Sequence, residues 1–264
     1  MPLVTDNILT LLNAYQPVTL EQMESVKLMN RIDTKFLANR EQLLQILEDA
    51  QTDYLAQEID GKRIATYDTL YYDTADLQMY LRHHDRQLKR QKIRIRRYVD
   101  SNLMFLEVKN KTNTGRTKKK RRELQATDFP LHLQDEVYKT EELETFFIKR
   151  SIYPPELLFP QERTQFQRIT LVNKEYTERL TIDLNLVWTN VRNGISTTYD
   201  NLVVIELKQD GMIDSNMKHI LRDLRIMPCK MSKYCMGVAL TTPDIKKNRF
   251  NVKKRKIEKI VGLR

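Results

Sequence analysis

Between residues 88 and 124 polar and apolar positions alternate with a period of two. In Leu88–Tyr98 the even positions Arg90, Lys92, Arg94 and Arg96 are basic, whereas Ile93 and Ile95 are apolar. Glu107 and Lys109 alternate with Leu106 and Val108, and Lys118, Lys120 and Arg122 read as one face of the next strand. The pattern returns later, where Arg179, Thr181 and Asp183 alternate with Leu180 and Ile182, and Glu206 and Lys208 with Ile205 and Leu207. Successive strand residues point to opposite faces, so each of these strands has one apolar and one ionic face.

Strands are predicted over residues 31–38, 62–72, 88–99, 103–109, 116–124, 157–169, 178–189 and 202–209. Turns are expected at Asp100-Ser-Asn102, at Asn113-Thr-Gly115 and at Asn193-Gly194. A helical period replaces the alternation in residues 5–14 and 19–29, which Pro17 separates. It recurs in 41–49, where Leu43, Leu44 and Leu47 form the stripe and Asn39 the N-cap. Further helices are expected at 76–82 and 141–150, from a cap at Asp214 to Arg225, and from Ser232 onward. No internal repeat is visible. The pattern describes one α+β domain over residues 1–245, with 1–30 as a helical appendage and 246–264 as a basic tail.

An open sheet with its ionic face in solvent satisfies the alternation equally well. Yet three or four cations on one strand face repel each other unless a counter-charge is present, and solvent-facing strands usually carry more Thr, Ser and Gln. A barrel with the ionic face inside meets both points when a polyanion enters it. Eight strands enclose a lumen wide enough for side chains and one slim ligand. The expected architecture is therefore a closed antiparallel eight-stranded β-tunnel with helices packed outside.

Composition changes this picture little. Hydrophobic residues make up 41% and charged residues 30% of the 264, a globular balance. No run approaches the roughly 18 apolar residues of a membrane span. Met1–Leu20 holds no Lys or Arg, so it lacks the charged start of a signal peptide, and a cytoplasmic protein is expected. Cys229 and Cys235 have no metal-ligand spacing and read as ordinary reduced thiols. The formal charge is +10, of which the tail from Lys246 supplies +8. That tail reads as a solvated, partly ordered extension or as a contact for an anionic partner. No nucleic-acid motif or aromatic platform accompanies the basic residues, so nucleic acid is not an expected partner.

Arg and Lys suit phosphate oxygens, Arg through its planar fork and Lys as a point charge. Carboxylates among them imply a hard divalent cation, magnesium or manganese. At these residues the chain resembles the triphosphate tunnel metalloenzymes and, within them, the polyphosphate-polymerase domain of the vacuolar transporter chaperone (VTC) family. The resemblance runs from about Arg31 to Leu240. It rests on Arg31-Ile-Asp-Thr-Lys35, Tyr71-Tyr-Asp-Thr, Lys92-Ile-Arg94-Ile-Arg96, Phe105-Leu-Glu107-Val-Lys109, Lys120-Arg-Arg, Arg163-Thr-Gln-Phe, Glu178-Arg179-Leu-Thr-Ile-Asp183, Val204-Ile-Glu206-Leu-Lys208 and Lys230-Met-Ser232-Lys233, in that order. Each stretch is weak alone; nine in one order are specific.

The resemblance implies a metal-dependent phosphotransferase that adds the terminal phosphate of ATP to an inorganic polyphosphate chain, with Mn2+ or Mg2+. It implies that Lys35, Arg94, Arg96, Lys109, Lys120, Arg163 and Arg179 grip phosphates, that Lys230, Ser232 and Lys233 close the site, and that Glu206 binds metal with Glu107 as an accessory. Because Lys118, Lys119 and Lys120 are adjacent, a one-residue slip changes which of them points inward. Arg31 and Asp33 stand where hydrolytic relatives carry the two Glu of an ExExK motif, which favours the VTC branch. A tripolyphosphate or nucleoside-triphosphate phosphohydrolase and a non-catalytic polyphosphate binder are the alternatives. The known VTC proteins attach this domain to membrane helices, so a separate membrane partner is a further expectation. His83 and His84 read as helix-end residues.

Overall fold

The computed structural model describes residues 2–24, 31–114, 117–126, 128–211 and 213–263. Residues 25–29 of the second predicted helix, and Gly115 and Arg116 of the predicted turn and strand, lie outside these. So does the Arg31 side chain.

The chain begins with α1 (Pro2–Asn13), β1 (Pro17–Val18), α2 (Leu20–Glu24), β2 (Arg31–Ala38), α3 (Arg40–Asp49), β3 (Tyr54–Gln57), β4 (Ala65–Asp73) and α4 (Gln78–His84). It continues with β5 (Arg90–Tyr98), β6 (Leu103–Lys111), β7 (Thr117–Leu124), α5 (Leu133–Val137) and α6 (Glu141–Ile148). The last part holds β8 (Phe159–Asn173), β9 (Glu178–Asn190), β10 (Ser196–Thr198), β11 (Val203–Asp210), α7 (Asn216–Asp223), α8 (Lys233–Thr241) and α9 (Asn248–Ile260). Every expected strand is present. The short strands β1, β3 and β10 and the helix α5 are additions too brief to carry a periodic signal.

The main sheet runs β2-β11-β9-β8-β4-β5-β6-β7, and every pairing along it is antiparallel. Among the described residues no ladder joins β2 to β7. The segment before α8 runs along the free edge of β2 instead and reaches across to β5. Cys229 donates its backbone N–H to the Lys35 carbonyl on β2 (2.7 Å), and Ser232 Oγ accepts from Lys92 Nζ on β5 (2.7 Å). The other edge strand, β7, is exposed from Thr117 to Glu123 and rich in Lys and Arg, which discourages edge-to-edge pairing.

The convex face carries the apolar half of the alternation. Ile169, Leu171, Leu180, Ile182, Ile205 and Leu207 pack with α1, α3 and α7, and Leu70, Ile93, Ile95, Leu106 and Val108 with α5 and α6. α3 forms as predicted: Asn39 Oδ1 accepts from Gln42 N (2.9 Å), and the Gln42 side chain accepts from Asn39 N (3.1 Å), a reciprocal cap. α7 is capped one residue later than expected, at Ser215.

The concave face is apolar at one end only. There Leu37, Tyr71, Phe166, Leu186, Trp188 and Val204 receive α8, whose Tyr234, Cys235, Met236 and Val238 are buried among them. α8 thus plugs the sheet. The basic tail is not a solvated extension: it forms α9, because Phe250 and Ile257, two turns apart, bury against α8 and α4.

Candidate phosphate-binding site

Strand register decides which charges share the concave face. On β5 the row is Arg90, Lys92, Arg94 and Arg96, opposite Lys111, Lys109, Glu107 and Phe105 of β6. On the other side Lys35 lies opposite Glu206, Glu206 opposite Thr181, and Lys208 opposite both Asp33 and Arg179. Beyond the plug, the face is therefore almost wholly ionic.

Three carboxylates organise it, each held between two cations. Glu206 takes Lys35 Nζ at 2.5 Å and Lys208 Nζ at 3.2 Å. Glu107 takes Arg94 through Nε (2.6 Å) and Nη2 (2.5 Å), and also Lys119. Asp183 takes Arg168 through a two-pronged contact and also Lys233. Burial pushes the Glu206 carboxyl up, but Lys208, Lys35 and Arg168 outweigh it and hold it far below the usual carboxylate range. Glu107 and Asp183 are held down in the same way against burial, by Arg94, Arg96 and Lys119 and by Arg168 and Lys233.

The cations outnumber these partners. Arg96 is 8% exposed, its Nε reaches the Thr69 hydroxyl at 3.4 Å, and among the described residues no carboxylate pairs with it. Lys92 and Lys109 likewise make no ion pair among the described residues. Burial pushes the Arg96 guanidinium and the Lys109 amine down; Arg94 adds to the first and Lys92 to the second, each by repulsion. Tyr71 sits among the cations, with its hydroxyl accepting from Arg94 Nη1 at 3.0 Å. Burial alone would raise its pKa; Arg94, Arg96, Lys92 and Lys233 bring it below the ordinary value. A phenol under this much positive field marks a site shaped for anions.

Most predicted residues meet here: Lys35, Arg94, Arg96, Lys109, Arg179, Glu107, Glu206 and Lys233 all face the concavity. Ser232 caps α8, accepting from Cys235 N at 3.3 Å, and presents a helix N-terminus to the same space. Lys230 is exposed at its rim.

Two predicted residues do not join them. Lys120 lies opposite Val108, which is buried on the convex face; Lys119, opposite Lys109, points inward instead. The run Lys118–Lys120 carries no apolar residue to fix its parity, hence the slip. Arg163 lies opposite Leu70 on the convex side, where it grips Asp68 at 2.6 Å and stacks over Phe129. The inward cation of β8 is Arg168, opposite Asp183. Its signal was the short alternation Arg168-Ile-Thr-Leu171.

Among the described residues no three His, Cys, Asp or Glu gather as a metal cage. Glu107 does not fit, because at 1% exposed it is closed to an incoming ion; it anchors Arg94 and Lys119. Glu206, 19% exposed, fits as one carboxylate of an ion that arrives with phosphate, the usual manner for magnesium. His83 and His84 end α4, as expected, and His84 bridges Asp85 and Asn248.

A curled antiparallel sheet with this ionic concavity is a triphosphate tunnel fold. Residues 30–242 match the family model of the VTC domain, and the chain belongs to that family. It is similar in structure to a putative adenylyl cyclase from Hippeastrum whose description reports a dominant triphosphatase activity. That likeness has a TM-score of 0.53 at 12% identity and covers 81% of this chain and 98% of that one. A putative adenylate cyclase from Vibrio parahaemolyticus follows, with a TM-score of 0.41 at 11% identity, covering 76% and 94%. The PH1819 protein of Pyrococcus horikoshii gives 0.40 at 12% identity, covering 77% and 96%. No curated protein matches the sequence.

Proposed function

We propose that this chain is a polyphosphate polymerase, transferring the terminal phosphate of ATP to an inorganic polyphosphate chain held on the concave face. One observation supports this most: buried Arg96, with Lys92 and Lys109, faces the concavity with no carboxylate partner among the described residues, beside three carboxylates that are each already shared by two cations. Such a face is suited to an anion of several charges, which would supply the missing counter-charge. Phosphoryl transfer asks the protein mainly to position and to neutralise, so the lack of an evident nucleophile is no obstacle.

In this reading Arg94 and Arg96 hold phosphates in line, anchored from below by Glu107 and Tyr71. Lys35 and Lys208 neutralise charge beside Glu206. Lys233, the α8 N-terminus and Ser232 close the plugged end over the chain. A magnesium or manganese ion held by Glu206 would supply further neutralisation of the transferring phosphate when bound. The reading includes a cytoplasmic location and a membrane partner; among the described residues no helix is long and apolar enough to cross a membrane.

The test is incubation with ATP and manganese, following ADP and long-chain polyphosphate together, with Glu206→Gln as control. Polymer from the wild type and none from the variant supports the proposal. Free phosphate without polymer points to a triphosphatase, and tight tripolyphosphate binding without turnover to a binder.

A further inference from the structure

The cations at the plugged end continue beyond the tunnel. On the β5–β6 hairpin Arg90 lies opposite Lys111, one inward position beyond the Lys92–Lys109 pair. α9, which begins after the family match ends at residue 242, brings Lys253 beside His83, whose imidazole Arg90 and Lys111 also act on. Its docking is specific. Phe250 packs against Tyr80, His83 and His84 at ring-centroid distances of 5.5, 6.3 and 5.8 Å. Asn248 Oδ1 contacts His84 Nε2 at 2.7 Å, and Arg249 Nη1 donates to the His84 carbonyl at 3.1 Å. Lys253 follows one turn after Phe250 and lies over its ring at 5.4 Å.

His83 reports the resulting field. Burial pushes its imidazole down to about 2, and every charge that adds to this is a cation: Lys92, Arg90, Lys253 and Lys111. Its Nδ1 is buried and has no hydrogen-bond partner. Lys111 feels both Arg90 and Lys230, and Lys253 feels Lys92 and Arg86. Inside the tunnel each carboxylate serves two cations. Out here, among the described residues, Arg90, Lys92, Lys111, Lys230 and Lys253 make no ion pair with a carboxylate at all. Like charges gathered at one spot without a counter-charge cost stability, and they are tolerated where an anion supplies it.

We propose that Arg90, Lys111 and Lys253 form a second anion site beside the α8 N-terminus, which holds the outer stretch of a phosphate chain whose inner end occupies the tunnel. Lys92 joins the two sites, since it faces Lys109 within the tunnel and bonds Ser232 at its rim. The inference rests on the polyphosphate reading for the ligand, and not on turnover. A long chain spans both sites and a triphosphate only the inner one, so the outer cluster selects for chain length.

The test uses binding without ATP or metal, which separates it from the polymerase assay. In the full chain, Arg90→Ala, Lys111→Ala and Lys253→Ala are combined. Binding of long-chain polyphosphate should weaken about ten-fold or more, with a shallower salt dependence, because each lost cation releases fewer counterions. Tripolyphosphate binding should stay within about two-fold of wild type, since direct charge-assisted contacts in the tunnel are intact. Unchanged long-chain affinity, or equal loss for both ligands, overturns the proposal. Loss of binding to phosphatidylserine vesicles with long-chain polyphosphate binding intact overturns it also and assigns the patch to a membrane surface. Lys111→Glu alone, at a half-buried strand end, should reproduce the selective loss if the triple variant folds poorly; failure to do so counts against the site.

Discussion

Arg168 lies directly across the ladder from Asp183 and grips it with two parallel bonds, Nε to Oδ1 at 2.6 Å and Nη2 to Oδ2 at 2.9 Å. Lys233 of α8 reaches the same carboxylate, so this one aspartate ties the plug to the sheet. Removing one partner of a buried ion pair leaves a charge uncompensated, and here it leaves two. Asp183→Asn should therefore lower folding stability by about 3–5 kcal/mol. Tripolyphosphate should restore part of the loss by taking the place of the missing negative charge. Thermal melts with and without tripolyphosphate check both points; an unchanged melting temperature would remove Asp183 from this role.

Arg94 and Arg163 offer a matched contrast, as both are arginines in two-pronged pairs with an acid, on opposite faces of the sheet. Arg94→Ala should weaken tripolyphosphate binding by about 1.5–3 kcal/mol, the usual worth of a hydrogen bond to a charged group. Arg163→Ala should lower stability, because it strands the buried Asp68, and leave phosphate affinity as it was. Calorimetric titration of the two variants decides the matter: equal affinity losses would mean that the face assignment fails.

The amines of Lys119 and Lys208 are both pulled down to about 8, first by burial, with Glu107 and Glu206 respectively opposing the shift. Their positive charges are thus fully present below that pH and fade as pH rises through it. Tripolyphosphate affinity should fall between about pH 7 and 9, beyond what the ligand's own titration explains. Lys119→Ala should bind more weakly at pH 7 and lose part of this pH dependence, whereas Lys120→Ala should match wild type throughout. A Lys120 variant with the larger defect would restore the alternative register of β7.

What could be read from the sequence followed from whether a strand had two chemically distinct faces. β5, β6 and β11 alternate ionic with apolar residues, so their register and their inward cations were legible. β7 is polar at every position from Thr117 to Glu123, and nothing in it distinguishes Lys119 from Lys120. Arg163 and Arg168 both sit on β8, five residues apart and so on opposite faces; only the apolar partners of Arg168 mark it as the inward one. Nor does alternation disclose what covers a face. The docking of α8 on Trp188 and Phe166, and of α9 through Phe250 and Ile257, depends on contacts between distant segments, which periodicity within one segment does not encode.

Glu162 is fully buried beneath α8, and its packing makes a prediction independent of phosphate. Gly237 leaves it room: a Cβ there would collide with both Glu162 and Trp188. Thr241 Oγ1 lies 3.0 Å from Glu162 Oε2 and 2.9 Å from the Gly237 carbonyl. The hydroxyl has one proton; given to the carbonyl, it leaves Glu162 to donate, which requires a protonated carboxyl. Burial accordingly pushes the Glu162 pKa up from its ordinary 4.5 to about 8. The folded state then holds a proton that the unfolded state has released across this window. Stability should be full below about pH 4.5 as far as this group is concerned, decline by at most about 1.4 kcal/mol per unit as pH rises, and level off above about 8. Glu162→Gln keeps the shape and the donor and removes the titration. It should melt higher than wild type at pH 8 and differ little at pH 5. Denaturant unfolding of both proteins across that range measures the effect, and parallel pH curves would mean that Glu162 is ionised in the fold.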